Sequence, residues 1–400
     1  MSKIQNNEIT HTGNTGTSNI VMSSNGNVTI NGNLTTTGST TAGSLIGASA
    51  TLAQSSNNRN YLINGDMQVA QRGTSITGGG TAGTSKNDDD QYTLDRWNLL
   101  SDGNDAVDVT QNTEAPAPGA QFSLALDVET ANKKFGILQI IEAKNCHALV
   151  GDSVSLSFKM KASAVDKLDS VKAAVVSWAS TADSVTSDIV SAWGAEGTRP
   201  TLATNWTYEN ANDSGTTGNF TPTTSWATYT LKNVSVDTGS TANVGVFIWS
   251  DVTDTTAGQF LYITDVQLET GALTTNYFRK SYDDELHNCW RYYQKIGEAD
   301  NQNIAPGWFK NSSTANFVLQ FLNEMRVAPS ISLLSASAVK ILRASEGTQN
   351  CNTSPAFYPG TTSARIRMTG LSDGDDGFGC NLIVSDGSDE VGCVRLSAEL

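Results

Sequence analysis

Charge is scarce in this 400-residue chain. Only 16% of its residues are Asp, Glu, Lys or Arg, and 40 acids against 25 bases leave a net charge of −15. A surface of that sign repels phosphates and anionic headgroups, so neither nucleic acid nor a membrane surface is expected as a partner. Apolar residues are thin too, at 38%, and no run approaches the length of a membrane span, so no membrane insertion is expected. Met1-Ser2-Lys3 leads into polar sequence with no apolar h-region. The five cysteines (Cys146, Cys289, Cys351, Cys380, Cys393) are odd in number and match neither a zinc ribbon nor a redox motif. Buried free thiols, in a protein folded in a reducing cytoplasm, are therefore expected. Histidine is limited to His11, His147 and His287, each alone, and no nucleophile elbow, P-loop or dinucleotide fingerprint is present. The expectation is a non-enzyme, with no catalytic residue and no cofactor.

What fills the chain instead is Ser, Thr, Asn and Gly, a composition that suits β-structure with many turns. At this length two or three domains are expected. Residues 1–56 contain only Lys3 and Glu8 as full charges and no aromatic residue. Within them Asn25-Gly26-Asn27-Val28-Thr29-Ile30 is followed by Asn31-Gly32-Asn33-Leu34-Thr35-Thr36, a near-repeat of turn and short strand. Its aliphatic residues are too few for a core within one chain. One reading is a flexible linker; the other is a β-stalk in which three copies pool one apolar stripe. Ala42 to Gln54 suits either a short helix or a further stalk strand.

Residues 57–280 read as an antiparallel two-sheet sandwich. A hairpin is expected around Tyr61-Leu62-Ile63 and the turn Asn64-Gly65-Asp66, and strands at 122–128, 135–142, 153–161, 171–178, 226–236, 243–250 and 259–268. In Asp95-Arg96-Trp97 the Trp is expected in the core and the Asp/Arg pair at a strand end, the alternative being a sugar site. The long insertion from Ala179 to Pro222 opens with a short amphipathic helix over Asp183 to Trp193 and brings Trp193, Arg199, Trp206 and Tyr208 onto one loop. Aromatic faces stack on pyranose rings, and polar side chains satisfy their hydroxyls. These four are the candidate glycan-binding residues; the competing reading has them pin the loop to the sandwich.

The joint of the chain is Gln259 to Gly297. An alternating strand ends near Glu269, and an amphipathic helix follows over 281–297, capped by Ser281, acidic in its first turn and stopped by Gly297. Leu286, Cys289, Trp290 and Tyr293 form its apolar stripe. Residues 298–400 read as a small C-terminal β domain with strands at 308–309, 315–322, 330–334, 338–343, 364–369, 379–384 and 392–397. The acidic run Asp373-Gly374-Asp375-Asp376-Gly377 fails the EF-hand pattern, because Phe378 stands where the loop needs Gly.

Gln267-Leu268-Glu269 with Gly271, then Tyr277-Phe278-Arg279, then Ser281-Tyr282, Asp284-Glu285-Leu286, Cys289 and Arg291-Tyr292-Tyr293 resemble the hinge of bacteriophage tail-fibre and head-fibre proteins. Asn64-Gly65-Asp66-Met67-Gln68-Val69, Gln71-Arg72-Gly73, Asp95-Arg96-Trp97, Met325-Arg326 with Pro329, and Leu396 to Leu400 extend the resemblance in order over most of 57–400. Thr224-Ser225-Trp226 to Val236 resembles the penultimate-strand region of jelly-roll carbohydrate-binding modules, which implies that Trp226 packs in the core. The resemblance implies a structural virion appendage with a jelly-roll domain, assembled in the host cytoplasm and placed on the virion surface. Its implied partners are two further copies of itself, other virion proteins through residues 1–56, and a bacterial surface glycan. The C-terminal domain, as the distal end, is a second host-contact region. A structural calcium of the kind such modules hold has no residues assigned to it here. A capsid decoration or head fibre without a receptor role is the alternative. A depolymerase tailspike is a further one, disfavoured because neither β-helix repeats nor paired carboxylates at a groove are visible.

Overall fold

In the computed structural model the described residues are 60–78, 86–210, 218–343, 347–351, 353, 355–372, 374, 376–385 and 393–400, with three short strands before them. The chain divides into two units, Met1–Ser56 and Asn57–Leu400. In the first, Glu8–Ile9, Ile20–Met22 and Val28–Ile30 pair antiparallel in sequence order, with Ile20 opposite Ile30. This pairing lies within a single chain. The second half of the near-repeat, around Leu34, and the segment 42–54 lie outside the described residues.

The second unit is mainly β. A six-stranded antiparallel sheet runs Ala227–Ser235, Ser153–Ala162, Phe260–Thr270, Ser123–Val128, Val107–Asn112, Ser75–Ile76. A seven-stranded sheet runs Trp206–Tyr208, Val171–Trp178, Asn243–Ser250, Phe135–Ile141, Asn98–Ser101, Gln91–Tyr92, with Asn219–Phe220 also on Val171–Trp178. Sequence neighbours are seldom sheet neighbours, as in a jelly-roll sandwich. The two inner faces meet in one core built on Trp97, Phe135, Phe158, Val175, Ile248 and Ile263.

The outer faces of the two sheets differ. Phe135–Ile141, Val171–Trp178 and Asn243–Ser250 are buried at every position. Their outward side chains Leu138, Val176, Trp178, Phe247 and Trp249 form a second cluster with Ile189, Val190 and Trp206 of the insertion and with Tyr292 and Leu400. Each large side chain so covered contributes roughly 1.5–3 kcal/mol. In the six-stranded sheet burial alternates only in places: Val107 and Val109 are buried and Asp108 half-exposed, and Leu261 is buried between half-exposed Phe260 and Tyr262.

Residues 293–400 form two further sheets. Tyr293–Ile296, Val394–Ser397 and Ser330–Leu333 make a three-stranded one. The other runs Thr348–Asn350, Val339–Arg343, Gly379–Val384, Asn303–Asn311, Thr314–Gln320, Ser363–Thr369, Ala356–Pro359. Both close on a core of Phe309, Phe317, Leu319, Ile341, Ile366, Leu382 and Leu396.

Several local expectations are corrected. The segment 60–69 is not a hairpin. It is a buried, irregular stretch in which Asn64 (φ 58°) and Met67 (φ 61°) are left-handed and the Asn64 amide donates to the Val69 and Asp95 carbonyls. No helix forms over 183–193; Val190–Ala192 pairs with Thr201–Leu202 instead, because Val190 is drawn onto the outer sheet face. The connecting helix spans only Tyr282–Trp290. Ser281 caps it as expected, but the buried face is Glu285 and Cys289, and the chain passes into the Tyr293–Ile296 strand before reaching Gly297. Trp226 is half-exposed on the outer face of the six-stranded sheet, not in the core.

The resemblance motifs converge on the junction between the sandwich and the last two sheets. Arg96 lies 3.7 Å over the Tyr292 ring, donates to the Ile140 carbonyl and pairs with Glu399. Arg72 lies 3.7 Å over the Tyr293 ring and 3.0 Å from the same Glu399 carboxylate. Asp95 accepts from the Gln71 main chain and side chain, rather than pairing with its neighbour Arg96. Glu142 accepts two hydrogen bonds from Arg291 and one from the Tyr292 hydroxyl. Burial pushes the Glu142 carboxyl up, but these donors outweigh it and hold the group below its ordinary value. Residues 396–400 are thus built into a sheet and the junction, not displayed at a tip.

Candidate functional site

The four residues singled out on the insertion come together, and what they face is the seven-stranded sheet. Trp206 is buried, 5.4 Å from Trp178, and its indole N–H donates to the Thr186 carbonyl. Trp193 packs 6.0 Å from Phe247. Tyr208 packs 6.2 Å from Trp249, and its hydroxyl donates to the Pro200 carbonyl. Arg199 stacks over Tyr208 at 4.8 Å and donates to the Asn210 carbonyl. Residues 211–217 of the same insertion lie outside the described set. These contacts pin the insertion down, and buried Trp206 has no face left for a ring to stack on.

The open aromatic surface lies on the opposite sheet. Along Phe260–Thr270 alternation sends Leu261 and Ile263 inward and Phe260 and Tyr262 outward. At Asp265 (φ 51°) the register against Ser157 to Lys159 shifts by a bulge, after which Val266 and Leu268 point inward. Phe260 and Tyr262 stack with centroids 5.7 Å apart, and Trp226 stands edge-on to Tyr262 at 6.3 Å. Lys161, directly across the strands from Tyr262, places its ammonium 5.0 Å from that ring and 2.9 Å from Glu114. The hydrogen bond from Lys161 holds the Glu114 carboxyl below its ordinary value. Beyond Tyr262 the row continues with the small Ala125 and Thr110.

Carboxylates flank this row. Asp127 lies opposite Phe260, and Asp108 lies opposite Asp127. Burial, then the repulsion of Glu129, raises the Asp127 carboxyl. Asp108 is pushed up to about 6, first by burial and then by Glu129, Asp105 and Asp127. One oxygen of Asp127 is buried without a hydrogen-bond partner among the described residues.

On the other side, two residues from Lys161 and so roughly 7 Å along the strand, Lys159 opens onto a cleft of about 220 Å³. The bulged Asp265 reaches Lys159 and Arg279, each at 2.9 Å. Glu269 accepts from Thr275 and Gln267 accepts from the Phe278 main chain, which fixes the loop that walls the cleft. The Gln-Leu-Glu element of the resemblance therefore acts here as a loop anchor. Asp66, also paired to Arg279, is fully buried, and burial, only partly offset by the Gln68 hydrogen bond, raises its carboxyl to about 6.

Among the described residues no group of three or more His, Cys, Asp or Glu is arranged to hold a metal. The acidic run at 373–377 is only partly described. No described helix is long and apolar enough to cross a membrane.

No family model and no curated protein matches the chain. Among solved structures it is similar to the enzymatically active domain of tailspike protein 4 from bacteriophage CBA120, at 14% identity and TM-score 0.28, over 44% of this chain and 19% of that one. It is similar to a xylan-binding domain from CBM 22, at 12% identity and TM-score 0.29, over 55% of this chain and 100% of that one. It is also similar to a cyclase from Fischerella sp. TAU, at 9% identity and TM-score 0.26, over 53% of this chain and 84% of that one. The match to the tailspike domain thus spans about a fifth of that protein's length. At such TM-scores none of the three likenesses carries an argument about what this chain does.

Proposed function

We propose that this chain is a non-enzymatic subunit of a bacteriophage virion appendage, a tail or head fibre, and that the outer face of its six-stranded sheet binds glycan on the bacterial surface. The virion role rests on the resemblance of the 259–293 and 60–97 motifs to fibre proteins. The observation that carries the glycan role is the half-exposed row Phe260, Tyr262 and Trp226, edged by Glu114 and Asp127 and continued by the Lys159–Arg279 cleft. Aromatic faces offer apolar stacking to the C–H face of a pyranose. The carboxylates accept from its hydroxyls, and Lys159, Asn276 and Thr275 donate or accept further along. Each contact is weak, and tethering several copies multiplies them. The proposed assembly is a homotrimer joined, and attached to the virion, through residues 1–56.

Affinity electrophoresis of the whole protein through gels containing host capsular or wall polysaccharide tests the binding role. The expected result is retardation that Tyr262→Ala and Trp226→Ala each reduce by about three- to tenfold. Retardation unchanged in both variants moves the site elsewhere, and release of reducing ends from the polysaccharide makes the chain an enzyme.

A further inference from the structure

The seven-stranded sheet of residues 303–384 has its own outer face, and the geometry points to that face as a second binding site, for an anionic polysaccharide. The side chains pointing away from its core are set by strand register. Trp308 lies opposite Asn316, and Asn316 opposite Arg367. In the next row Val318 lies opposite Arg365, and Arg365 opposite Tyr358. Trp308 is 43% and Tyr358 44% exposed, and Val318 beside them is also open to solvent. Trp308 to Arg367 spans two inter-strand gaps, roughly 10 Å, a length that accommodates two sugar rings.

Three features distinguish this face from the aromatic row on the sandwich. First, its charges are cationic: Arg365 and Arg367 have no carboxylate partner among the described residues, in a chain whose net charge is −15. Secondly, Arg365 stacks over Tyr358 at 4.0 Å and Arg367 approaches the same ring at 5.1 Å, which fixes the guanidinium planes and leaves their N–H edges to meet an oxyanion. Thirdly, hydrogen-bonding capacity stands unused. The Arg367 Nε and the Asn316 amide oxygen are both buried without partners among the described residues, and Asn316 is only 6% exposed. Gly379, opposite Trp308, adds no side chain, and a methyl group there would meet open space.

Sparse anionic charge on a sugar backbone suits this arrangement. Carboxylate or phosphate oxygens take the arginine edges in paired, charge-assisted hydrogen bonds. Trp308, 43% exposed, supplies a stacking surface beside them. A polynucleotide, with one charge per ~1.7 Å of duplex, meets far stronger repulsion from the acidic remainder of the molecule. At physiological salt that repulsion is screened beyond about 8 Å, while the contacts at the face itself persist.

The test uses the whole chain in affinity gels containing polygalacturonate, poly(glycerol phosphate), dextran or single-stranded DNA. Retardation by one or both anionic polymers and not by dextran is expected, and the two arms tell carboxylate from phosphate. Arg365→Gln with Arg367→Gln is expected to weaken it by about tenfold or more, and Trp308→Ala by about threefold. Arg365 is exposed and Arg367 half-buried, and glutamine keeps a polar side chain at both, so the double variant should remain folded by circular dichroism, and Tyr262→Ala on the sandwich should leave this binding intact. Unchanged retardation in the double variant overturns the assignment. So does binding of DNA with neither anionic glycan. An absence of binding to every polymer, combined with a double variant whose native mass drops, identifies the face as a subunit contact and overturns it as well.

Discussion

Gly65 shows what a single residue decides. A methyl group at this position would lie 2.2 Å from the Val266 carbonyl oxygen, so the strand that carries the aromatic row and the 60–69 stretch approach this closely only because Gly65 has no side chain. Gly65→Ala should cost at least about 1–3 kcal/mol by overpacking, read as a lowered denaturation midpoint. Next to it, Asp66 makes stability depend on pH. Its carboxyl is raised from 3.8 to about 6, so the folded chain keeps a proton that the unfolded chain releases in that window. Stability contributed by this group is therefore present below pH 3.8 and lost as pH climbs toward 6, by at most about 3 kcal/mol. Urea titrations at pH 4, 5 and 6 should show a shallower fall in Asp66→Asn than in the parent chain. Every cysteine is free and buried, as their odd number and wide spacing led us to expect, and burial pushes the Cys146 and Cys351 thiols up to about 12.

At the scale of elements, the long strands were readable because alternation and β-branched runs set them. Ser153–Ala162, Asn243–Ser250 and Phe260–Thr270 fall within two residues of the expected bounds. The edge strands Ser75–Ile76 and Gln91–Tyr92 were not, since two residues carry no period. The helix was overextended to Gly297 because Tyr293 continues a helical apolar spacing, while in the fold it pairs with Ser397 on a strand. The same limit applied to the candidate site. Aromatic residues on a long insertion look like a ligand loop, yet here they pack on the apolar outer face of the seven-stranded sheet. Tyr262 and Phe260 were visible as one face of a strand, but which face met solvent depends on the partner sheet, which no local pattern records. Glu142 ties the short helix at 143–146 to the chain after Trp290. Glu142→Ala would leave the Arg291 fork and the Tyr292 hydroxyl unsatisfied and should cost about 3 kcal/mol in thermal or chemical unfolding.

For the molecule as a whole, Arg96, Arg72, Glu399 and Glu142 tie residues 57–400 into a single compact unit with three buried apolar clusters. Removing residues 1–56 should leave the melting of that unit unchanged and, on the proposed homotrimer, lower the native mass to that of one chain. A truncated chain that remains trimeric would place the subunit contact in the β modules. In the sandwich Phe135–Ile141 is enclosed on both faces, whereas Phe260 and Tyr262 on the opposite sheet are half-exposed. Among natural variants of this chain, substitutions ought to follow a period of two along 158–162 and 260–263, where buried and half-exposed positions alternate. Phe135–Ile141, enclosed above and below, ought to stay nearly constant throughout.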